Sequence, residues 1–203
     1  SSMARDGSIF AYSAERCREQ FASFVIQDAL SFNHFDNPRL MKVIQDCLQP
    51  QYNQVSRATL RRDCMKLWKK AKSKLVNGFL NLNTSVSLTT DVWSAPHGLP
   101  GSYLCVTAHW IDPETWQMMK RTIAFENFEY PHTGENLFKM LRDVIEFFSL
   151  QEKVFSISFD NASNNTSAVK KLILKYKPPL RGIFYHSRCV AHIINLVVQD
   201  GLA

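Results

Sequence analysis

The sequence predicts an α/β fold: a mixed five-stranded sheet with helices on both faces, preceded by a small all-helical segment. Three observations lead there. Up to about residue 82, apolar side chains recur at helical spacing. From about residue 83 the pattern changes to alternation, the period of a half-buried strand. The order of elements is then three strands, helix, strand, helix, strand, helix, and a meander followed by right-handed crossovers builds a mixed sheet. The expected division is 1–82, helical, and 83–203, the α/β core.

In the helical segment, Phe21, Phe24, Val25 and Ala29 make the first apolar stripe. Asn37-Pro38 starts a second helix, Asn as cap and Pro at the first helical position. Leu40, Met41, Ile44 and Leu48 are its buried face, and Pro50 ends it. Ser56 caps a third helix, with the stripe Leu60, Cys64, Leu67, Trp68, Ala71 and Leu75 and a stop at Asn77-Gly78. Its remaining surface holds Arg61, Arg62, Lys66, Lys69, Lys70, Lys72 and Lys74, with Asp63 the one acid among them. This surface reads either as a solvated face or as a phosphate-contacting one, with salt-dependent binding. The concentration of one sign favours the second.

The first strand is Ser85–Ser94. Val86 and Leu88 point one way, Ser87, Thr89 and Asp91 the other, and Trp93 follows two residues on. After a loop with Pro96, Gly98, Pro100 and Gly101 come strands at Tyr103–Ile111 and Trp116–Ala124, joined by turn chemistry at Asp112-Pro113. Thr133 caps a helix whose inner face is Leu137, Met140, Leu141, Val144, Ile145 and Phe148. In the strand Lys153–Asp160, Phe155, Ile157 and Phe159 share one face, Ser156, Ser158 and Asp160 the other. A helix over 161–177 stops at Pro178-Pro179, a strand covers Ile183–His186, and a helix over Cys189–Gln199, apolar nearly all round, is expected to be buried. Polar sites in such sheets gather at the carboxyl ends of strands. If the two acid-tipped strands are neighbours, Asp91 and Asp160 sit side by side and suit a divalent cation. Alternatively, each is a cap or turn residue at a strand end.

Apolar residues make up 45% of the 203, enough for a sizeable core, and the net charge of +6 favours a polyanionic partner. The five cysteines are odd in number and scattered, and no secretory or long apolar run is present, which points to a reducing compartment without a membrane span. Ser1-Ser2-Met3 reads as a cloning remnant, and the chain as a piece of something longer. There is no G-x-S-x-G elbow, Walker loop or dinucleotide glycine fingerprint, which argues against hydrolase, NTPase and dehydrogenase readings and against a small-molecule substrate.

Four local sequences carry a resemblance. They are Leu88-Thr89-Thr90-Asp91-Val92-Trp93-Ser94, His132-Thr133-Gly134-Glu135-Asn136, Asp160-Asn161-Ala162-Ser163-Asn164-Asn165 and Arg188-Cys189-Val190-Ala191-His192-Ile193-Ile194-Asn195-Leu196. In this order they resemble the hAT superfamily of DNA transposases, and more closely its plant sleeper-type, BED zinc-finger-associated relatives. The resemblance implies a ribonuclease H-like core, a nuclear location, DNA as partner, homodimer formation, and metal-dependent strand cleavage and transfer. It makes Asp91 and Asp160 the first two of three catalytic acids, holding Mg²⁺ or Mn²⁺. The third, a Glu beyond a helical insertion, is not in this sequence, so activity from this stretch is not expected. Trp93 resembles a Trp associated with a displaced base, and also reads as a core Trp. Cys189 and His192 share a helix face and, with His186, neighbour the acids. They make only part of a zinc pattern, and zinc is not expected. His192 reads as a DNA contact or as a hydrogen-bonded buried His; His132 reads as part of a helix cap. The alternative function is a transposon-derived, non-catalytic module that binds DNA or protein.

Overall fold

The computed structural model describes residues 11–94, 101–128, 130–160 and 163–202. Ser1-Ser2-Met3, the Pro96–Pro100 loop, and Asn161 and Ala162 of the Asp160 motif lie outside them. The chain divides into two compact units, Ser1–Lys74 and Leu75–Ala203.

The first unit contains α1 (Ala14–Gln27), α2 (Pro38–Val43, continued by a wider turn to Leu48) and most of α3 (Arg57–Asn81). Ser13 caps α1, its hydroxyl accepting from the Arg16 amide at 3.2 Å. Asn37 caps α2 with Pro38 at the first helical position, as expected. Ala22, Val25, Phe35, Met41, Ile44, Tyr52, Leu60 and Cys64 form the core. The predicted stripes are buried only in part. Phe24 and Leu48 are exposed, and so are Trp68 and Ala71 on α3.

Nor does α3 stop at Asn77-Gly78. It runs on to Asn81 because Phe79 is buried edge-on against Trp110 (5.1 Å) and Phe148 (5.9 Å). The Lys153 ammonium donates to the carbonyls of Phe79 and Leu80. Such packing outweighs the roughly 1 kcal/mol that an interior glycine costs a helix. A Cβ on Gly78 would meet no atom within 4 Å. Gly78→Ala is therefore expected to stabilise the protein by about 0.5–1 kcal/mol in urea unfolding; a loss of stability there would contradict an uninterrupted α3.

The second unit holds the sheet: β1 (Val86–Ser94), β2 (Ser102–Ile111), β3 (Met118–Asn127), β4 (Val154–Phe159) and β5 (His186–Arg188), in the order β3-β2-β1-β4-β5. β1–β2 and β2–β3 are antiparallel, and β1–β4 and β4–β5 parallel. The helices are α4 (Gly134–Phe147), α5 (Ser163–Tyr176) and α6 (Val190–Leu202). Val86, Leu88, Leu104, Val106, Ile157 and Phe159 form one core with Leu137, Leu141 and Ile145 of α4 and Ala168, Val169 and Leu172 of α5. That core covers one face of the sheet. On the other face Thr89, Asp91, Trp93 and Phe125 are exposed, and α4 and α5 both pack against the core face.

Several edges differ from the prediction. β3 begins at Met118, because Asp112 holds a turn through Thr115: its Oδ1 accepts from the Glu114 and Thr115 amides and the Thr115 hydroxyl. Those bonds hold its carboxyl below the usual range. The β1–β4 register shifts after Val86, placing Ser156 opposite Ser87. Phe155 is displaced from the apolar row into an exposed stack on Phe184 (5.9 Å). β5 comprises His186–Arg188 rather than 183–186, since Pro179–Gly182 forms a 3₁₀ turn and Tyr185 alone of the predicted strand is buried in the core. The largest correction is α6. No residue of it is buried, and Val190, Ile194, Val197, Val198 and Leu202 are exposed. Apolarity on every side requires a cover, and no described residue supplies enough to bury any position of it.

Candidate functional site

Each acid is delivered by its strand. β1 alternates Ser87, Thr89, Asp91 and Trp93 on the open face with Val86, Leu88 and Thr90 in the core. In the parallel neighbour β4, Ser156 registers with Ser87 and Ser158 with Thr89. Continuing that register by two residues sets Asp160 level with Asp91. On the far side of β4, Phe159 pairs with Arg188, and the Cys189 amide donates to the Phe159 carbonyl at 2.6 Å. Continued one level further, that register takes in Asp91, three residues inside the end of β1, with Asp160 and Cys189, each one residue past its strand. Adjacent strands lie about 4.8 Å apart, so the continued register would bring the two residues to neighbouring positions. Asp91 is exposed and Asp160 half-buried.

Asp160 is held from behind. Asn165, buried in α5, donates its side-chain amide to the Asp160 carbonyl (3.2 Å) and to its Oδ1. Asn165 belongs to the Asp160–Asn165 motif, in which residue type alone gives it no role. An Asn five residues after an acid at a strand-to-helix junction is a signal only once the helix is known to fold back. The neighbouring Asn164 donates to the His132 carbonyl at 2.7 Å. His132 stacks on Phe128 (4.5 Å, 10°), and its Nε2 lies 3.0 Å from the Phe128 carbonyl. Thr133 caps α4 by accepting from the Asn136 amide at 3.2 Å. Glu135 pairs with Lys171 of α5, which holds its carboxyl below the usual range, with Lys139 assisting. Gly134 gives the closest approach: a Cβ there would lie 2.7 Å from the Asn164 carbonyl oxygen and 2.8 Å from Ser167 Cβ. The His132–Asn136 motif thus clamps α4 to the first turn of α5, directly behind Asp160.

The other predicted residues are only partly gathered. Trp93, 45% exposed, lies 5.9 Å from Tyr103 and 6.5 Å from Phe125, and Tyr103 and Phe125 stack at 5.0 Å and 4°. Tyr103 and Phe125 escaped the sequence reading because only pairing with β2 and β3 sets them beside Trp93. His192 is half-buried in the first turn of α6, just after Cys189. His186 departs from the expectation: it pairs with the core residue Ile157, and its ring meets Phe159 edge-on at 5.7 Å, on the apolar face. Burial, then Arg188, lowers its pKa. On the open face, His109 sits 3.0 Å from the Thr89 hydroxyl, its pKa lowered by burial and then by Lys120.

Asp91 and Asp160 are two hard-oxygen carboxylates. Hard oxygens suit Mg²⁺ or Mn²⁺, and Mg²⁺ commonly binds one or two carboxylates while keeping waters and substrate phosphates. Among the described residues no group of three or more His, Cys, Asp or Glu gathers to hold a metal. In the first unit, Arg61, Arg62, Lys66, Lys69 and Lys70 are all exposed. Asp63 is engaged by Arg18 at 2.9 and 2.7 Å. Lys66 and Lys70 share a groove with Glu15 and Glu19, so the one-sign face is diluted there by acids from a distant part of the chain. Among the described residues no helix is long and apolar enough to cross a membrane.

The ZBED1 RNase-like domain family matches residues 89–180, a stretch that includes both acids. The chain is 33% identical over 184 residues to a putative AC transposase of Zea mays, covering 88% of this chain and 22% of that protein. It is 23% identical over 195 residues to the zinc finger BED domain-containing protein DAYSLEEPER of Arabidopsis thaliana, covering 95% and 27%. It is 25% identical over 198 residues to RICESLEEPER 1 of Oryza sativa subsp. japonica, a protein of the same description, with the same coverage. The chain spans about a quarter of the length of these curated relatives.

Proposed function

This chain is a hAT-related, sleeper-type sequence with an RNase-like domain, and from that premise we propose that it is a DNA-binding protein whose Asp91 and Asp160 form the first part of a metal-dependent strand-cleavage and transfer centre. The supporting observation is the parallel β1–β4 register, Ser87 with Ser156 and Thr89 with Ser158, which continued by two residues would bring Asp160 beside Asp91. Both would hold Mg²⁺ or Mn²⁺, which when bound supplies charge to steady the attacking and leaving oxygens of a phosphodiester. Asn165 fixes the orientation of Asp160. Trp93, extended by Tyr103 and Phe125, offers an unpaired base an aromatic face. Cys189 and His192 border the rim where DNA would pass. Arg61, Arg62 and Lys69, with Lys66 and Lys70 beside them, contact phosphates. A nuclear location and a homodimer accompany this reading. A second reading is a transposon-derived regulatory module that binds without cutting; the sleeper relatives' description as BED zinc-finger proteins fits either reading. A strand-transfer assay on the full-length protein with Mn²⁺ separates the two.

The binding itself is tested by anisotropy with a labelled duplex bearing a single-stranded flank. The triple variant Arg61→Glu, Arg62→Glu, Lys69→Glu is expected to flatten the slope of log K against log salt by about 2.7, three contacts at about 0.9 each. An unaltered slope makes α3 a solvated face. Trp93→Ala is expected to weaken binding by ~1–3 kcal/mol for the flanked DNA and to leave the blunt duplex unaffected.

A further inference from the structure

The first unit carries an apolar groove of about 750 Å³ between α1 and α3. Its floor is the buried Val25 and Cys64, and its walls are Ile26 (49% exposed) and Phe32 on one side and Met65 (44%) and Trp68 (48%) on the other. Met65, Trp68 and Ala71 succeed one another by one helical turn, so the groove follows the α3 axis. Large apolar side chains left exposed in one contiguous cleft mark an interaction surface. Charge selects the partner. Among the described residues Lys70 and Lys74 line the groove and no carboxylate does, while the Lys72 ammonium lies 4.9 Å from the Trp68 ring centre.

We propose that this groove docks an acidic amphipathic helix from a partner protein. An apolar stripe at i, i+3 or i+4 and i+7 fits a linear groove of this kind, as in other helix-in-groove recognition. Acidic residues on the flanks of that helix meet Lys70 and Lys74. A nucleic acid finds no use for the apolar walls, and a basic helix would meet like charge at the rim. The inference does not depend on the acidic pair of the sheet.

The test uses the 203-residue chain and two fluorescein-labelled helical peptides of about four turns. Both carry Leu at i, i+4 and i+7; one has Glu at its flanking positions, the other Lys. The Glu peptide is expected to saturate, to bind at least about tenfold more tightly than the Lys peptide, and to shift the tryptophan emission to the blue in the parent but not in Trp68→Phe. Met65→Glu, at an exposed position, and Lys74→Glu are each expected to weaken it about tenfold with the circular dichroism spectrum intact. Non-saturable binding, equal binding of both peptides, or indifference to Met65→Glu overturns the proposal. A concentration-dependent dimer that Met65→Glu dissolves also overturns it, by assigning the groove to a second copy.

Discussion

Gly134→Ala is expected to destabilise the protein by about 3 kcal/mol, the upper end of what overpacking costs. The added methyl would lie 2.7 Å from a backbone oxygen, that of Asn164, and 2.8 Å from Ser167 Cβ. Neither atom is the end of a flexible chain, so accommodation requires α4 to move off α5. That movement strains the bond from Asn164 to the His132 carbonyl and the Glu135–Lys171 pair. For a chain of this size the loss corresponds to a drop in Tm of roughly 6–12 °C. Gly78→Ala is the internal control, since the same substitution there meets open space and acts in the opposite direction. Thermal and urea unfolding of both variants decide the matter. A Gly134→Ala protein within about 0.5 kcal/mol of the parent, the range of unremarkable surface changes, shows that the two helices part easily and that the clamp does not hold Asp160.

The second large effect concerns the proposed metal. Calorimetric titration with Mn²⁺ is expected to give a binding heat that both Asp91→Ala and Asp160→Ala remove. With two carboxylates as protein donors, loss of either leaves too little negative charge to displace water from a hard cation. Asn165→Ala is the subtler variant. It keeps both ligands but releases Asp160 Oδ1 from the amide that orients it, and loss of such an orienting partner typically costs about 10–100-fold in metal affinity. A melt run beside the titration distinguishes this from unfolding, because Asn165 is buried. Heats indifferent to both aspartate changes would falsify the metal role and leave a DNA-binding reading that rests on α3 and the aromatic face.

Much of the site was legible because its signals are local. The alternation of Ser87, Thr89 and Asp91 with Val86 and Leu88 placed one carboxylate on the polar face of a strand, and the Thr133 and Asn37 caps were readable from residue type. The illegible parts depend on partners far along the chain. Phe155 left its row through a register shift against β1, and Tyr103 and Phe125 joined Trp93 by pairing across three strands. Phe79 carried α3 through a glycine, and Glu15 and Glu19 came to lie beside Lys66 and Lys70 from another helix. Trp68 was expected in the core by spacing alone, yet periodicity says which face an apolar residue shares and not whether another element covers that face.

By itself, then, the sequence determined the elements, their order and the ends of the two acid-bearing strands, since periodicity, capping and turn chemistry act within a few residues. Only the tertiary structure decided that β1 and β4 are parallel neighbours with Ser87 opposite Ser156 and Thr89 opposite Ser158, that Gly134 is a contact point between α4 and α5, and that α6 stays exposed. Those outcomes depend on which distant surfaces meet and how closely, and contact across many residues leaves no period in the chain to be read.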